Sequence, residues 1–402
     1  VGIDSVQSAP CSRSPFGKGV ADCLDLVCDT AKQMGMTVHN EKGYYCTCDI
    51  GEGQTFGILG HIDVVPYDKD EWSANPLGEI KDGYLYGRGV LDDKGPMLCC
   101  LYAVDNLIKQ GYKPKCKIRF IFGGNEESGW KCIEHYNEVD EMPEKGFSPD
   151  GDFPVINCEK GLAGYDILVD MPKKLLSIEG GERGNIVMAK CSCVLDMALD
   201  VLPDDDKISV SVNGGKTYIT AYGTPAHAST PQKGDNAFWR LLYFLSENIG
   251  GEFKDIRDTF NVGVVNGENL PSTRLYNRKM HLIVDIRHPV SYTKEQIADM
   301  LRENLKAEVN VRNFHDPLYI DKDNELVQKL LASYNAVTGE NATPITIGGG
   351  TYARALKCGV AFGPIFPNQE STIHQTDERV SLDDFKKLYD VYERAIKDLL
   401  FE

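Results

Sequence analysis

No run of apolar residues in the chain approaches the roughly 18 needed to cross a bilayer, which excludes a helical membrane span. The C-x-x-C spacing used in thiol–disulfide exchange and in many zinc–thiolate sites does not occur. Positive charge is in short supply: Lys plus Arg number 43 against 60 Asp plus Glu, a formal net charge of −17. A surface of that sign repels nucleic acid and anionic lipid, so neither is an expected partner. Low-complexity tracts and fixed-period repeats are absent by inspection, and with 42% hydrophobic and 26% charged residues the chain is neither disordered, collagen-like nor a coiled coil. The opening VGIDSVQSAP has no basic region and no apolar core, so it is not a secretory signal, and a cytoplasmic location is expected.

What remains is a chain of 402 residues, enough for two to three domains at about 100–200 residues each. Its 13 cysteines are odd in number and scattered, which is not a disulfide framework. Two C-x-C pairs, Cys46/Cys48 and Cys191/Cys193, fall in strand-like segments. They read as small buried hydrophobes of a reducing compartment rather than as a zinc–thiolate site.

The first 150 residues alternate helical and extended patterns. Val20, Cys23, Leu24, Val27, Cys28 and Ala31 recur at helical spacing over 18–34, FGILGHIDVV (56–65) is a compact apolar strand, and 95–111 is a helix stopped by Gly111. KIRFIFGGNEE alternates over Ile118, Phe120 and Phe122 before turning at Gly123-Gly124. Such alternation predicts a layered α/β domain. The stretch 159–317 reads instead as several strands around one clear helix, DNAFWRLLYFLSENIG, an α+β module with a mostly antiparallel sheet. The α/β pattern then returns, ending in a helix with Ser381 as N-cap and an apolar stripe of Phe385, Leu388, Tyr389, Tyr392, Ala395, Ile396 and Leu399. The expected architecture is an α/β domain formed by 1–158 and 318–402, interrupted by an inserted α+β domain at 159–317.

Several residues stand where chemistry is done. His61 ends an apolar strand, and an unpaired imidazole there would be a poor core residue. Asp63, two residues on, would face the same side of an extended chain and reach the ring nitrogen that a metal leaves unused. A plain histidine–aspartate hydrogen bond is the alternative. Asp92 and Asp93 are adjacent just before a helix, where acidic residues also serve the helix dipole. Glu126 and Glu127 follow a strand and a Gly-Gly turn. Neighbours in an extended segment point opposite ways, so one can hold a metal while the other faces a substrate. Asp150 and His374 complete a set of imidazoles and carboxylates without thiolates, which suits zinc, cobalt or manganese. Two imidazoles and three carboxylates exceed one tetrahedral ion and fit two ions sharing a carboxylate. Such a pair acidifies a water and polarises a carbonyl, while the spare Glu moves the proton.

GILGHIDVVP, YGRGVLDDKGP, GGNEESG, SPDGDFPVINCEKG, GTPAHAS and IGGGTYAR together resemble the dinuclear-metal peptidases of the aminoacylase and carboxypeptidase G2 type, most closely the peptidase V branch of carnosinase-like, Xaa-His dipeptidases. With STIHQTDER around His374, the motifs span positions 57 to 379, nearly the whole chain. The resemblance implies a phosphorylase/hydrolase-like catalytic domain with an inserted lid. It implies that His61 and His374 each bind one metal, that Asp92 bridges them, and that Glu127 and Asp150 each bind one ion. Glu126 would be the general base and then the acid, Asp63 would orient His61, and the Asp92–Asp93 peptide bond would be cis. From the inserted domain, His227 would stabilise the oxyanion, and Asn185 and Arg287 would hold the substrate's C-terminal carboxylate, a task suited to the Arg fork. The alternatives are a strand-face salt bridge for Arg287 and a turn position for Asn185. Gly348, Gly349, Gly350 and Thr351 form a turn that lets backbone approach a ligand; a phosphate loop is not expected, since the strand–loop–helix context with its Lys is missing. His39, His135, His281, His288 and His315 have no acidic cluster beside them in the sequence and are expected to be structural.

The resemblance thus implies a cytoplasmic metallo-dipeptidase that holds two Zn2+ (or Mn2+ or Co2+) and cleaves short unblocked peptides with a free C-terminus. An enlarged lid would supply His227 within its own chain, so a monomer is expected. The chemically close alternative is an N-acyl-amino-acid amidohydrolase of the aminoacylase or succinyl-diaminopimelate desuccinylase type.

Overall fold

The strand Thr55–His61 (TFGILGH) is buried along all but its first residue, as a central strand of a parallel sheet should be. It pairs in parallel with Lys117–Gly123 on one side and with Lys145–Ser148 on the other. The sheet continues through Cys358–Ala361, parallel to Lys145–Ser148, and on the far side through Tyr45–Ile50 and Thr37–Glu41, both antiparallel. In the computed structural model, residues 1–181, 186–228, 230–260, 272–276, 278–304 and 307–402 are described. The chain divides into two units, Val1–Cys158 with Tyr319–Thr346 and Gly350–Glu402, and Glu159–Leu318 with Ile347–Gly349.

In the first unit, helices Lys18–Gln33, Lys94–Lys109, Lys131–Val139, Glu325–Thr338 and Leu382–Leu400 accompany the sheet, and the fold is α/β as the alternation predicts. The predicted strand over 56–65 stops early, at His61. Beyond it the Ile62 N–H still bonds the Gly123 carbonyl, while Val64 turns to bridge Val6. The last helix is capped as predicted, with Ser381 Oγ accepting from Asp384 N–H at 3.0 Å. Its buried stripe is shifted by a residue in places: Val391 and Leu400 are buried, and Leu399 is half-buried.

The second unit is built on an eight-stranded sheet among the described residues, with its strands paired antiparallel. One face of it is apolar. Tyr165, Ile167, Cys193, Ile219, Leu282 and Val284 form one cluster with Phe238, Leu241 and Leu245 of helix Ala237–Asn248. Two further helices, Glu252–Phe260 and Lys294–Asn304, were not apparent in the sequence. Both are rich in charge, and their apolar stripes are short: Phe253 and Ile256 in one, Ile297, Ala298 and Leu301 in the other. The C-x-C cysteines of both units are buried at alternate positions facing one side of their strands, Cys46 and Cys48 in one sheet, Cys191 and Cys193 in the other.

Candidate metal centre

The parallel strands Thr55–His61, Lys117–Gly123 and Lys145–Ser148 deliver His61, the Glu126-Glu127 pair and Asp150 at or just beyond their carboxyl ends. Open α/β sheets bind ligands at that edge. Asp92 enters from the turn before helix Lys94–Lys109, and His374 from the loop before strand Arg379–Ser381. The Asp92–Asp93 bond is cis.

Asp92 lies between the two imidazoles. Its Oδ1 is 2.9 Å from His61 Nε2 and its Oδ2 is 2.8 Å from His374 Nε2. Asp150 Oδ2 is 3.8 Å from His61 Nε2, and Glu127 Oε1 is 3.1 Å from His374 Nε2. One carboxylate thus has a histidine and a second carboxylate on each side. Donor atoms of His61, Asp92 and Glu127 all lie within 4.8 Å of one another, close enough for one cation.

The ring of His61 is fully buried and both its nitrogens are engaged. Nδ1 donates to the Asp63 backbone carbonyl at 2.9 Å, which fixes the tautomer and leaves Nε2 for a metal. The Asp63 carboxylate was expected to hold this ring. Its Oδ1 stands 3.5 Å from Nδ1, and its close hydrogen bonds are elsewhere: Oδ1 accepts from Glu126 N–H at 2.9 Å and Oδ2 from Glu127 N–H at 3.1 Å. The strand ends at His61, so the alternation that would align residues 61 and 63 is interrupted. Asp63 anchors the Glu-Glu turn with its side chain and the histidine with its main chain.

Two neighbours of the site, Trp130 and Glu378, were not singled out in the sequence, and Asp93 was named there only as the partner of Asp92. Trp130 Nε1 donates to Glu126 Oε1 at 3.1 Å, and its ring meets Tyr352 edge-on with centroids 4.9 Å apart. Its spacing four residues after Glu126, at the start of a helix, is the signal that could have found it. Asp93 is fully buried, and its Oδ2 accepts the His61 backbone N–H at 3.2 Å. That approach requires Gly60, since a Cβ there would fall 2.0 Å from Asp93 Oδ2. Glu378, also fully buried, is tied to Arg88.

Charge is crowded here. Burial, reinforced by Asp92, raises the Asp150 carboxyl to about 7, and burial also raises Glu126. Although burial opposes it, hydrogen bonds from His374 and His61 hold Asp92 well below the usual carboxylate range. Against its own desolvation, His374 is raised to about 10 by Asp92 and Glu127, and His61 is raised by Asp63 and Asp92. Four carboxyls therefore face two imidazoles, and two of the four resist ionisation while no cation is present. A nitrogen and oxygen donor set with surplus negative charge fits divalent cations of the zinc, manganese and cobalt type.

The second unit's candidates are placed separately. Asn185 lies outside the described residues. His227 is exposed, its backbone bridged to Ile186. Arg287 makes the strand-face salt bridge, with Nε donating to Asp285 Oδ1 at 2.8 Å, and its Nη1 donates to the Gly348 carbonyl at 2.9 Å. That leaves N–H groups on both Nη atoms for a carboxylate. None of Gly348, Gly349 and Gly350 has a positive φ, and a Cβ at Gly350 would meet Arg354 Nε at 2.7 Å. Thr351 Oγ1 accepts from Ala353 N–H at 3.1 Å, capping a short helical turn. Of the remaining histidines, His39 and His135 flank Glu41 at 3.0 and 3.4 Å, and His281 meets Asp166 at 2.7 Å; the pairings of His135 and His281 cross the fold and left no trace in the sequence.

An α/β sheet with buried carboxylates and imidazoles at its strand ends defines a class of proteins suited to metal-assisted hydrolysis. Within that class the chain belongs to peptidase family M20/M25/M40, whose sequence signature matches residues 57–398. It is 34% identical over 439 aligned positions to the Bacillus subtilis (strain 168) protein named "Putative dipeptidase YtjP", covering 99% of this chain and 94% of that one. Its fold is similar to aminoacylhistidine dipeptidase from Vibrio alginolyticus (TM-score 0.60, 13% identity, 96% and 94% of the two chains covered). It is also similar to human carnosine dipeptidase 1 (TM-score 0.57, 14% identity, 99% and 93% covered). The family is the one its motifs resemble. No helix among the described residues is long and apolar enough to cross a membrane.

Proposed function

We propose that the protein is a two-metal dipeptidase acting on short unblocked peptides with a free C-terminal carboxylate. The observation that carries this reading is the carboxylate of Asp92 with His61 and His374 on its opposite oxygens, at 2.9 and 2.8 Å. His61 with Asp150 would hold one ion, His374 with Glu127 the other, and Asp92 both; zinc, manganese and cobalt suit this donor set. When bound, the ions supply Lewis acidity, making a water easier to deprotonate and the scissile carbonyl easier to attack.

Glu126 takes the proton of the attacking water on its carboxylate and returns it to the leaving amine. Trp130 and Asp63 keep that carboxyl in place, through Oε1 and the backbone N–H respectively. Residues 1–158 and 318–402 act as the catalytic domain and 159–317 as a lid. From the lid, His227 donates to the oxyanion, Arg287 and Asn185 receive the substrate carboxylate, and the backbone of Gly349, Gly350 and Thr351 lines the approach. The enlarged lid favours a monomer, and the cysteines buried as thiols favour a cytoplasmic location.

The test is a substrate panel. Metal-loaded protein should hydrolyse β-Ala-His or Leu-Leu and spare N-acetyl- and N-succinyl-amino acids. Hydrolysis of the acylated compounds alone would replace this reading with the amidohydrolase one. Glu126→Gln should lower kcat by about 10²–10⁴-fold with metal binding retained; unchanged turnover would remove Glu126 from the mechanism.

A further inference from the structure

Arg88 and Glu378 stand 290 residues apart in sequence and meet at 2.8 Å, with side chains only 4% and 0% exposed. Neither is among the candidate ligands. Their hydrogen bonds join two short segments. The Glu378 carboxylate accepts from Arg88 Nη1, from Gly89 N–H at 3.1 Å and from Leu91 N–H at 2.9 Å. Its backbone carbonyl accepts from Gly87 N–H at 3.0 Å, and Arg88 Nη2 donates to the Gln375 carbonyl at 3.0 Å. The rings of Trp72 and Tyr67 lie 5.4 and 5.9 Å from the guanidinium, a cation–π arrangement that also limits water.

The first segment ends at Leu91, next to Asp92; the second begins at Gln375, next to His374. Those two ligands meet at 2.8 Å. The segments are therefore fastened at two points, once by the ligands and once by the buried ion pair. His374 needs the second fastening. Its φ is 62°, left-handed backbone that a non-glycine residue adopts only when its surroundings hold it there. Its ring is half exposed, so little packing fixes it. A buried ion pair seldom outdoes an apolar pair in stability, and fixing one geometry is what it can offer instead.

We propose that Arg88 and Glu378 are positioning residues that hold the His374 segment against Asp92, whose other oxygen is met by His61 at 2.9 Å, and so control the affinity for the ion on the His374 side while leaving the His61 side unaffected. His61 has its own supports, the Asp63 carbonyl on its ring and Asp93 on its backbone N–H. The proposal rests on the two-metal reading given above.

Arg88→Lys keeps the charge and removes the fork; Glu378→Gln keeps the shape and removes the charge. Each variant and the parent, stripped of metal, are titrated with Co2+ by calorimetry and visible absorption. Two binding steps are expected in the parent. In each variant one step should keep its affinity and the other should weaken by about 10–100-fold. The weakened step should be the one that His374→Ala removes, and excess Co2+ should restore kcat. Two steps of parental affinity, or two weakened equally, would overturn the proposal. A parent with one step would sink the two-metal reading itself and the strut with it. If the variants do not fold, hydrogen exchange on the metal-free parent decides: slow exchange at Gly89 and Leu91 supports a preformed strut, and exchange at loop rates overturns it.

Discussion

The two imidazoles that flank Asp92 are held in opposite ways. His61 ends a central strand, is wholly buried, and has both ring nitrogens and its backbone N–H bonded within the first unit. His374 sits in a loop with left-handed backbone and a half-exposed ring that contacts Asp92 and Glu127 through Nε2 alone. One pole is rigid because of the sheet it grows from. The other is an open arm that needs a strut. Symmetry of ligand type therefore hides an asymmetry of support, and the two poles should fail differently.

Replacing each histidine by alanine gives the largest contrast. Both changes should lower kcat/KM by at least about a hundredfold, since either ion is lost or displaced. Stability should separate them. His61→Ala empties a fully buried position and takes from Asp92 one of its two imidazole partners, and should cost about 3–5 kcal/mol in the metal-free protein. His374→Ala removes a half-exposed group and should stay within about 1 kcal/mol. Urea melts check this, and equal losses would show that the poles are supported alike.

The pH dependence of the metal-free protein comes next in size. His374 is raised from 6.5 to about 10, so its contribution is complete below pH 6.5 and is lost as pH rises through 10. His61 is raised too and acts in the same direction. Asp150, raised from 3.8 to about 7 by burial and by Asp92, favours the folded state while protonated, so stability is also lost as pH rises from 3.8 through 7. Chelator-treated protein should therefore melt at progressively lower temperature from pH 5 to pH 9. Added Zn2+ should flatten or reverse that slope, because the cation takes over the role of the protons. A melting temperature that rises with pH in the chelated protein would contradict the burial of these groups.

Much of this was legible in the sequence where local pattern and chemistry coincide. An apolar run ending in His61, an acidic pair before a helix and another after a Gly-Gly turn each announce a strand or helix end that bears polar atoms. The extent of strands was less legible. Asp63 was expected to meet the His61 ring with its carboxylate, which stands 3.5 Å from Nδ1, but nothing local revealed that its shorter bonds go to the Glu126 and Glu127 amides once the strand ends at His61. Partnerships across the fold left no local trace. Nothing near Glu378 reveals that its carboxylate is enclosed by residues 88–91, because the partners are fixed by the fold and not by spacing. Trp130 is intermediate: its distance from Glu126 is local, but a Trp at that spacing is more often core.

Trp130 allows a finer test, on the base instead of the poles. Trp130→Phe keeps the ring that meets Tyr352 and removes the N–H that reaches Glu126. A hydrogen bond to a carboxylate contributes about 1.5–3 kcal/mol. If that bond matters mainly in the transition state, kcat should fall roughly tenfold or more, with KM and both Co2+ affinities unchanged. A change in metal affinity would mean that the indole supports Glu127 as well, and the separation between base and poles would blur.

The smallest effect serves as the control for all the others. Ser381 caps the last helix, seven residues after His374 and outside the metal centre, with its Oγ accepting from Asp384 N–H. Ser381→Ala should cost about 1 kcal/mol, as losses of such caps usually do. In a chain of this length that is a fall of only one or two degrees in melting temperature, on the order expected from size scaling. Both Co2+ steps and kcat should stay at parental values, because the bonds that position His374 run through Arg88 and Gln375 and not through the helix cap. If a cap mutation of that size also weakened the His374-side ion, general loosening of the loop would suffice to explain the strut variants, and the difference between the two poles would reduce to a difference in local stability.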